Sequence, residues 1–289
     1  MYRLIYLFLP LFLFASSYEY ELSIAAIFNN EARFLKEWIE FHKTVGVEHF
    51  YLYNNRSNDN FADVLKPYVE EGTVELIEWP HKSRNTHEWN DIQCNAFMDA
   101  VKRAKGVSRW LALIDIDEFI FTTDKTLLPD FLSSYRKYGG LAVNWQCYGT
   151  SDIARLPDDR FLIEMLVMKA PVHIADNCHV KSIVQPKKVS NCRNPHFCTY
   201  RKDYYAVSPS KVLIPDFHND AVDISRIRIN HYWSRDEEFV TQIKIPRQLK
   251  WWGKDAAATW EKVRSFNKVE DKAIFYWLSE MKKRLKESN

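Results

Sequence analysis

Asp115 and Asp117 sit one residue apart within an apolar run, residues 110–121, that reads WLALIDIDEFIF. In an extended strand, side chains at i and i+2 project from one face, so a strand through this run presents both acids together where it leaves the core. Two such carboxylates are a ready source of oxygen ligands. Mg²⁺ and Mn²⁺ are hard cations that commonly take one or two protein carboxylates and complete their shell with substrate phosphates. By itself, Asp-x-Asp is usually no more than a solvated strand end or a helix cap. The elements around it decide its meaning.

Those elements alternate. Strand-like runs at 22–28 (LSIAAIF), 49–55 (HFYLYNN) and 73–79 (TVELIEW) are interleaved with helix-period stretches at 31–43, 61–69 and 89–105, ahead of the strand that carries the two acids. This βαβα order predicts an α/β fold, a mostly parallel sheet covered by helices. On the first helix Phe34, Leu35, Trp38, Ile39 and Phe41 recur at helical spacing, interrupted by Glu37, Glu40 and Lys43, so one face is expected in the core. Open α/β sheets bind ligands beyond the carboxyl ends of their strands. Here those ends fall at Asn29 and Asn30, Asn54 and Asn55, Trp79 and Pro80, and the acidic pair. No GxGxxG follows the first strand and no Walker A lysine loop occurs, so neither a dinucleotide site nor a P-loop is supported. Seven glycines leave few backbone cradles for phosphate, which puts more weight on the carboxylates.

Further along, 141–145 is an apolar run leading into a polar, aromatic turn at 146–152. A short helix is expected over 160–169, a strand over 180–186 (VKSIVQP), a loop over 190–196, and mainly helix beyond Asp236. With 46% hydrophobic residues in a chain of 289, the core is large enough for a single domain, placed at 18–289. Forty basic against 38 acidic residues leave a net charge of +2, interspersed along the chain, which argues against a nucleic-acid partner. Residues 1–17 (MYRLIYLFLPLFLFASS) have one basic residue, an apolar run shorter than a bilayer span and small residues at its end. They read as a signal peptide or short anchor, implying the secretory pathway and a secreted or membrane-associated product. Five cysteines suit an oxidising compartment with one or two disulfides and at least one thiol left over. A structural zinc among Cys178, His179, Cys192, His196 and Cys198 is disfavoured because no CxxC pair is present.

In this order the blocks FNNEARFLKEWIEFHKTVGVEHFYLYNNRSND, WLALIDIDEFIF, VKSIVQPKKV followed by NPHF, and INHYWSRDEEF resemble glycosyltransferase family 92 and related family 2-like transferases. The resemblance implies a GT-A fold and transfer of a sugar from a nucleotide-sugar donor, a UDP-sugar foremost, to a glycan or other hydroxyl acceptor. It further implies Asp115 and Asp117 as the element that binds Mn²⁺ or Mg²⁺ and the donor diphosphate, with His231 of NHYW joining the metal. Relatives usually show Lys-Asn-Glu after the first strand and many show Asp-Asn after the second. This chain instead has Asn29-Asn30-Glu31 and Asn54-Asn55, and the change at Asn54 bears on a ribose or base contact.

Donor contacts are therefore expected from Asn30, Glu31, Asn54, Gln93, Asp115, Lys181 and His196. An inverting transfer needs a carboxylate to take the proton of the acceptor hydroxyl. Asp152, in the loop after 141–145, is the first candidate, with Glu164 and Asp176 behind it. A carbohydrate-binding or adhesion protein on the same fold is the alternative of a different class. A metal-dependent hydrolase would normally show a richer set of His and Asp ligands for two metals.

Overall fold

The computed structural model describes residues 18–287. The first half is a strand-helix alternation: β1 (Tyr20–Phe28), α1 (Ala32–Thr44), β2 (His49–Asn54), α2 (Phe61–Glu70), β3 (Val74–Glu78), α3 (Thr86–Ala104) and β4 (Ser108–Leu113). Then come β5 (Glu118–Thr122), α4 (Leu128–Ser133), β6 (Gly140–Cys147), α5 (Leu162–Met165), β7 (Met168–Lys169), β8 (Val180–Val184) and the hairpin strands β9 (Val189–Asn194) and β10 (Phe197–Tyr200). The remainder is β11 (Ala206–Val207), β12 (Leu213–Ile214), β13 (Ile227–His231), α6 (Glu237–Phe239), α7 (Ile245–Trp252), α8 (Ala256–Phe266), β14 (Val269–Glu270) and α9 (Phe275–Glu287). The predicted leader lies outside the described residues. No helix among them is long and apolar enough to cross a membrane.

The main sheet runs β12-β11-β6-β8-β4-β1-β2-β3. It is parallel through β4, β1, β2 and β3, as crossover helices require, and becomes mixed where β8 enters antiparallel between β4 and β6. The apolar strands β1, β2 and β4 are buried because helices cover both faces. Towards the carboxyl end of β6, β13 pairs with it in parallel and with β5 antiparallel, which sets His231 opposite both Cys147 and Glu118.

Three expectations are corrected. The run 110–121 is not one strand. It breaks after Leu113, and the chain turns through Ile114–Asp117, with Glu118 N–H donating to the Asp115 carbonyl (3.1 Å) and the Glu118 carboxylate accepting from Asp115 N–H (2.9 Å). β4 stays in the main sheet while β5 leaves to pair with β13, so the i, i+2 rule does not apply across the acids. The helix expected over 160–169 is only Leu162–Met165, because residues 168–169 extend to pair with β14. The loop expected over 190–196 is largely β9, hairpinned with β10 and closed by a Cys192–Cys198 disulfide. Cys94, Cys147 and Cys178 are free thiols.

The α1 core face is as expected, with Phe34, Leu35, Trp38, Ile39 and Phe41 all buried. Glu37 and Glu40 are buried too, since tertiary partners replace water. Glu37 accepts from Leu162 N–H (2.8 Å) and Ile163 N–H (2.9 Å), and Glu40 accepts from the Tyr68 hydroxyl (2.7 Å) and pairs with Arg284. The Trp38 indole N–H donates to the Glu118 carbonyl (2.8 Å), tethering α1 to the start of β5 beside the acids.

Candidate functional site

The turn between β4 and β5 sends its two carboxylates in different directions. Asp115 leans towards β8 and α3. Its Oδ2 accepts from Lys181 Nζ (2.9 Å) and its Oδ1 from Gln93 Nε2 (2.6 Å). Lys181 is 1% exposed and also lies 3.6 Å from the fully buried Glu118 carboxylate. Burial lowers the tendency of Lys181 to stay charged, but Asp115 and Glu118 outweigh it and raise its pKa. Burial pushes Glu118 well above the ordinary carboxylate range, with Lys181 partly opposing.

Asp117 faces β13 and the π-helical turn Val240–Lys244. His231 Nε2 lies 3.6 Å from its Oδ1 and Lys244 Nζ 3.6 Å from its Oδ2. The geometry is set by backbone, because Tyr232 N–H, next to His231, donates to the Asp117 carbonyl (2.8 Å). Burial opposes ionisation of Asp117, yet the surrounding basic groups prevail and hold it below the usual carboxylate range. Burial drives His231 down to about 3, so the imidazole is neutral at pH 7 and keeps a lone pair. Burial also lowers the Lys244 pKa, to about 7, with Asp117 opposing. Lys244 stacks over Trp233 (4.8 Å) and Phe239 (5.5 Å). Next to this centre Arg235 binds Glu31 (2.6 Å) and lies over Phe34 and Phe239. Burial raises the Glu31 pKa against that pairing.

The structure thus brings Glu31, Gln93, Asp115, Asp117, Lys181 and His231 to one end of the sheet. Asn54 is committed locally: its amide donates to Glu78 (3.0 and 3.1 Å) and its oxygen accepts from Ser57 N–H (2.9 Å), a role an aspartate opposite Glu78 could not fill. Asn30 ties the β1 loop to the β2 loop through Ser57 and Asn58, in a left-handed conformation (φ 57°) that asparagine tolerates. Asp152 is exposed, also left-handed (φ 57°), and accepts from Asn267 Nδ2 (3.1 Å).

Beside His231 opens a cavity of about 230 Å³. Its lining includes Trp145, His179, His196 and Trp233, with Trp252 half exposed at 51%; Asp152 is not among the lining residues. Trp145 is in ring contact with His231 (4.1 Å), His196 (5.0 Å) and His179 (5.2 Å). His196 arrives from the tip of the disulfide-closed hairpin, and burial holds it neutral, well below its ordinary pKa.

No group of three or more His, Cys, Asp or Glu side chains converges as a metal cage among the described residues. A hard divalent ion that draws most of its shell from phosphate and water needs fewer. Asp117 and His231 fit that requirement: an ionised carboxylate faces a neutral imidazole nitrogen, both almost buried. Asp115 is turned onto Lys181 and Gln93.

The chain matches glycosyltransferase family 92 over residues 18–281. It belongs to that family. A family 92 protein of Ricinus communis is 28% identical over 143 residues, 48% of this chain and 24% of the relative. A galactan beta-1,4-galactosyltransferase of Arabidopsis thaliana is 27% identical over 38% of this chain and 21% of its own length. A beta-1,4-galactosyltransferase of Caenorhabditis elegans is 28% identical over 38% and 27%. The chain therefore spans less than a third of these curated relatives. Among solved structures, S. aureus TarS 1–349 in complex with UDP is similar over 57% of this chain and 47% of that one, at 12% identity and a TM-score of 0.37. As a member of glycosyltransferase family 92, the chain has the expected α/β architecture of mixed sheet and flanking helices.

Sequence reasoning passed over Lys244, Arg235 and Glu118. Arg235 stands inside the quoted block INHYWSRDEEF, and a glutamate inside the apolar run EFIF was itself a signal of a buried charge. Lys244 carries no such mark. Only the π-helical turn, a feature frequent at functional sites, turns it inward.

Proposed function

We propose that this family 92 chain transfers a hexosyl unit, with inversion, from a UDP-sugar to a hydroxyl of a glycan, using Mn²⁺ or Mg²⁺. The observation that carries the reading is the pair of Asp117 and His231, almost buried 3.6 Å apart at the carboxyl end of the sheet and flanked by Lys244. Asp117 and His231 would hold the ion, which when bound offsets negative charge on the departing diphosphate. Lys181 would supply fixed positive charge near the same oxygens, and Lys244, whose pKa burial lowers to about 7, would add charge when protonated. Gln93 and Glu118 hold Asp115 in place, and the tied β1 and β2 loops form the floor for the nucleotide. Trp145, Trp233 and the neutral histidines exclude water around the sugar, which strengthens these electrostatic terms.

The names of two relatives make UDP-galactose the first donor to try. Nucleotide-sugar hydrolysis and transfer should be measured across common donors, with Mn²⁺ and with chelator. Metal-dependent turnover is expected. No turnover and no metal-dependent donor binding would overturn the proposal, and glycan binding without turnover would assign the chain to the carbohydrate-binding class. An N-terminal membrane association and entry into the secretory pathway belong to the same proposal, and intact Met1 in the mature protein would rule cleavage out.

A further inference from the structure

An in-line displacement at a sugar carbon needs the leaving diphosphate on one face and an acceptor hydroxyl, with something to take its proton, on the other. The 230 Å³ cavity has His231 in one wall, and Asp176 is the one carboxylate among the described residues that line it. Asp176 lies in the 3-10 turn Ala175–Cys178, just before β8. That turn is pinned from all sides by the next residue. The Asn177 side chain donates to the carbonyls of Pro171 (3.1 Å) and Val172 (3.0 Å) and accepts from Cys147 N–H (2.8 Å), while Asn144 Nδ2 donates to the Asn177 carbonyl (3.0 Å). A fully buried asparagine thus fixes the turn to the end of β6 at Cys147, the strand residue paired with His231. Lys262 of α8 binds Asp176 Oδ1 and itself stacks over Trp233 (5.0 Å). The Asp176 side chain is 34% exposed, so a proton received there can pass on to water.

We infer that Asp176 is the general base for the acceptor hydroxyl, and that the half-exposed Trp252 at the same cavity is the face on which the acceptor sugar stacks. The inference rests on the glycosyl-transfer reading above. The acceptor oxygen forms its bond to the anomeric carbon as the bond from that carbon to the diphosphate oxygen breaks. The bonding pair leaves with the diphosphate, and the hydroxyl proton moves to Asp176 Oδ2. Asp152 and Glu164 are placed elsewhere: Asp152 is bound to Asn267 and Glu164 to Arg160 and Lys282. Preorganisation of this kind is what a base needs, because the carboxylate must be in place when the bond forms.

The test uses the full chain with UDP-galactose, Mn²⁺ and a β-linked galactan oligosaccharide. Asp176→Asn should lower kcat for transfer by ~10²-fold or more, the range of a lost general base, with donor KM, Mn²⁺-dependent UDP affinity and melting temperature close to wild type. Asp176→Glu should recover at least part of that loss. Lys262→Met, which keeps the carboxylate, should stay well above Asp176→Asn. Trp252→Ala should raise acceptor KM and leave donor KM alone. If the wild type turns over while Asp176→Asn keeps more than a tenth of its kcat, or Lys262→Met falls as far as Asp176→Asn, the assignment of Asp176 is overturned and the proposed function stands. A wild type that neither binds nor turns over any donor overturns the proposed function itself.

Discussion

Two concave regions of this molecule differ in size and in chemistry. A groove of about 960 Å³ runs between α1, α2 and the loop before α5, lined by Lys36, Glu40, Tyr68, Asp158 and Arg160 among others. The cavity beside His231 is about 230 Å³. In the groove, Lys43 binds Glu71 (2.9 Å) with side chains 23% and 48% exposed, so water screens that pair, and the buried Glu37 and Glu40 are satisfied by backbone N–H groups, Tyr68 and Arg284. At the strand ends, Asp117, Lys244 and His231 are nearly dry, and each field acts through low dielectric. The contrast teaches that volume is a poor guide to how charge is held: the larger groove screens or satisfies it, and the smaller region keeps Asp117 and Lys244 nearly dry.

The sharpest way to break the contrast is Asp117→Asn. An amide is a poor ligand for a hard cation, and turnover should fall at least ~10²–10³-fold. The fold should survive, because the Asp117 carbonyl that accepts from Tyr232 N–H is backbone. Wild-type activity in that variant would remove Asp117 from the metal site. His231→Ala comes next, with a Mn²⁺ requirement weakened roughly tenfold or more in a metal titration. An unchanged titration would return His231 to packing against Trp145.

A smaller effect should appear on stability, and it belongs to the groove side. Burial raises the Glu37 carboxyl from 4.5 to about 7. Between those values the folded chain binds a proton that the unfolded chain has released, so stability falls as pH rises from about 4.5 through 7. Glu37→Gln removes that slope, worth about 3 kcal/mol at most by the 1.36 kcal/mol per pKa unit. Denaturant melts at pH 5 and pH 8 check it; equal slopes in the two proteins would show that Glu37 does not titrate on folding. The smallest effect is expected from Lys36→Glu in the groove, with kcat and donor KM within twofold of wild type. A tenfold loss there would make the groove part of the active surface.

Much of the fold was legible because a parallel sheet writes itself in hydrophobic runs. β1, β2 and β4 are buried on both faces and so read as continuous apolar segments between helix-period stretches. The breaks were not legible. Residues 110–121 look like one strand, and the turn at 114–117 exists because β13, more than a hundred residues later, offers β5 a partner. The hairpin at β9 and β10 hid behind asparagine and proline, whose local preference for turns was overridden by pairing and a disulfide. Glu37 and Glu40 read as solvent-facing because period alone cannot anticipate Leu162 N–H or Arg284 arriving from distant segments.

What the sequence by itself determined is the class of chemistry: residue types settle which groups can bind a hard cation or carry charge, and Asp115, Asp117, Lys181 and His231 were all visible as such. What only the tertiary structure decided is who faces whom. Asp115 goes to Lys181 and Gln93, Asp117 to His231 and Lys244, and Asp176 to the cavity wall in place of Asp152. The physical reason is that side-chain direction within a strand follows from local backbone, whereas a turn between two strands takes its direction from the partners each strand finds.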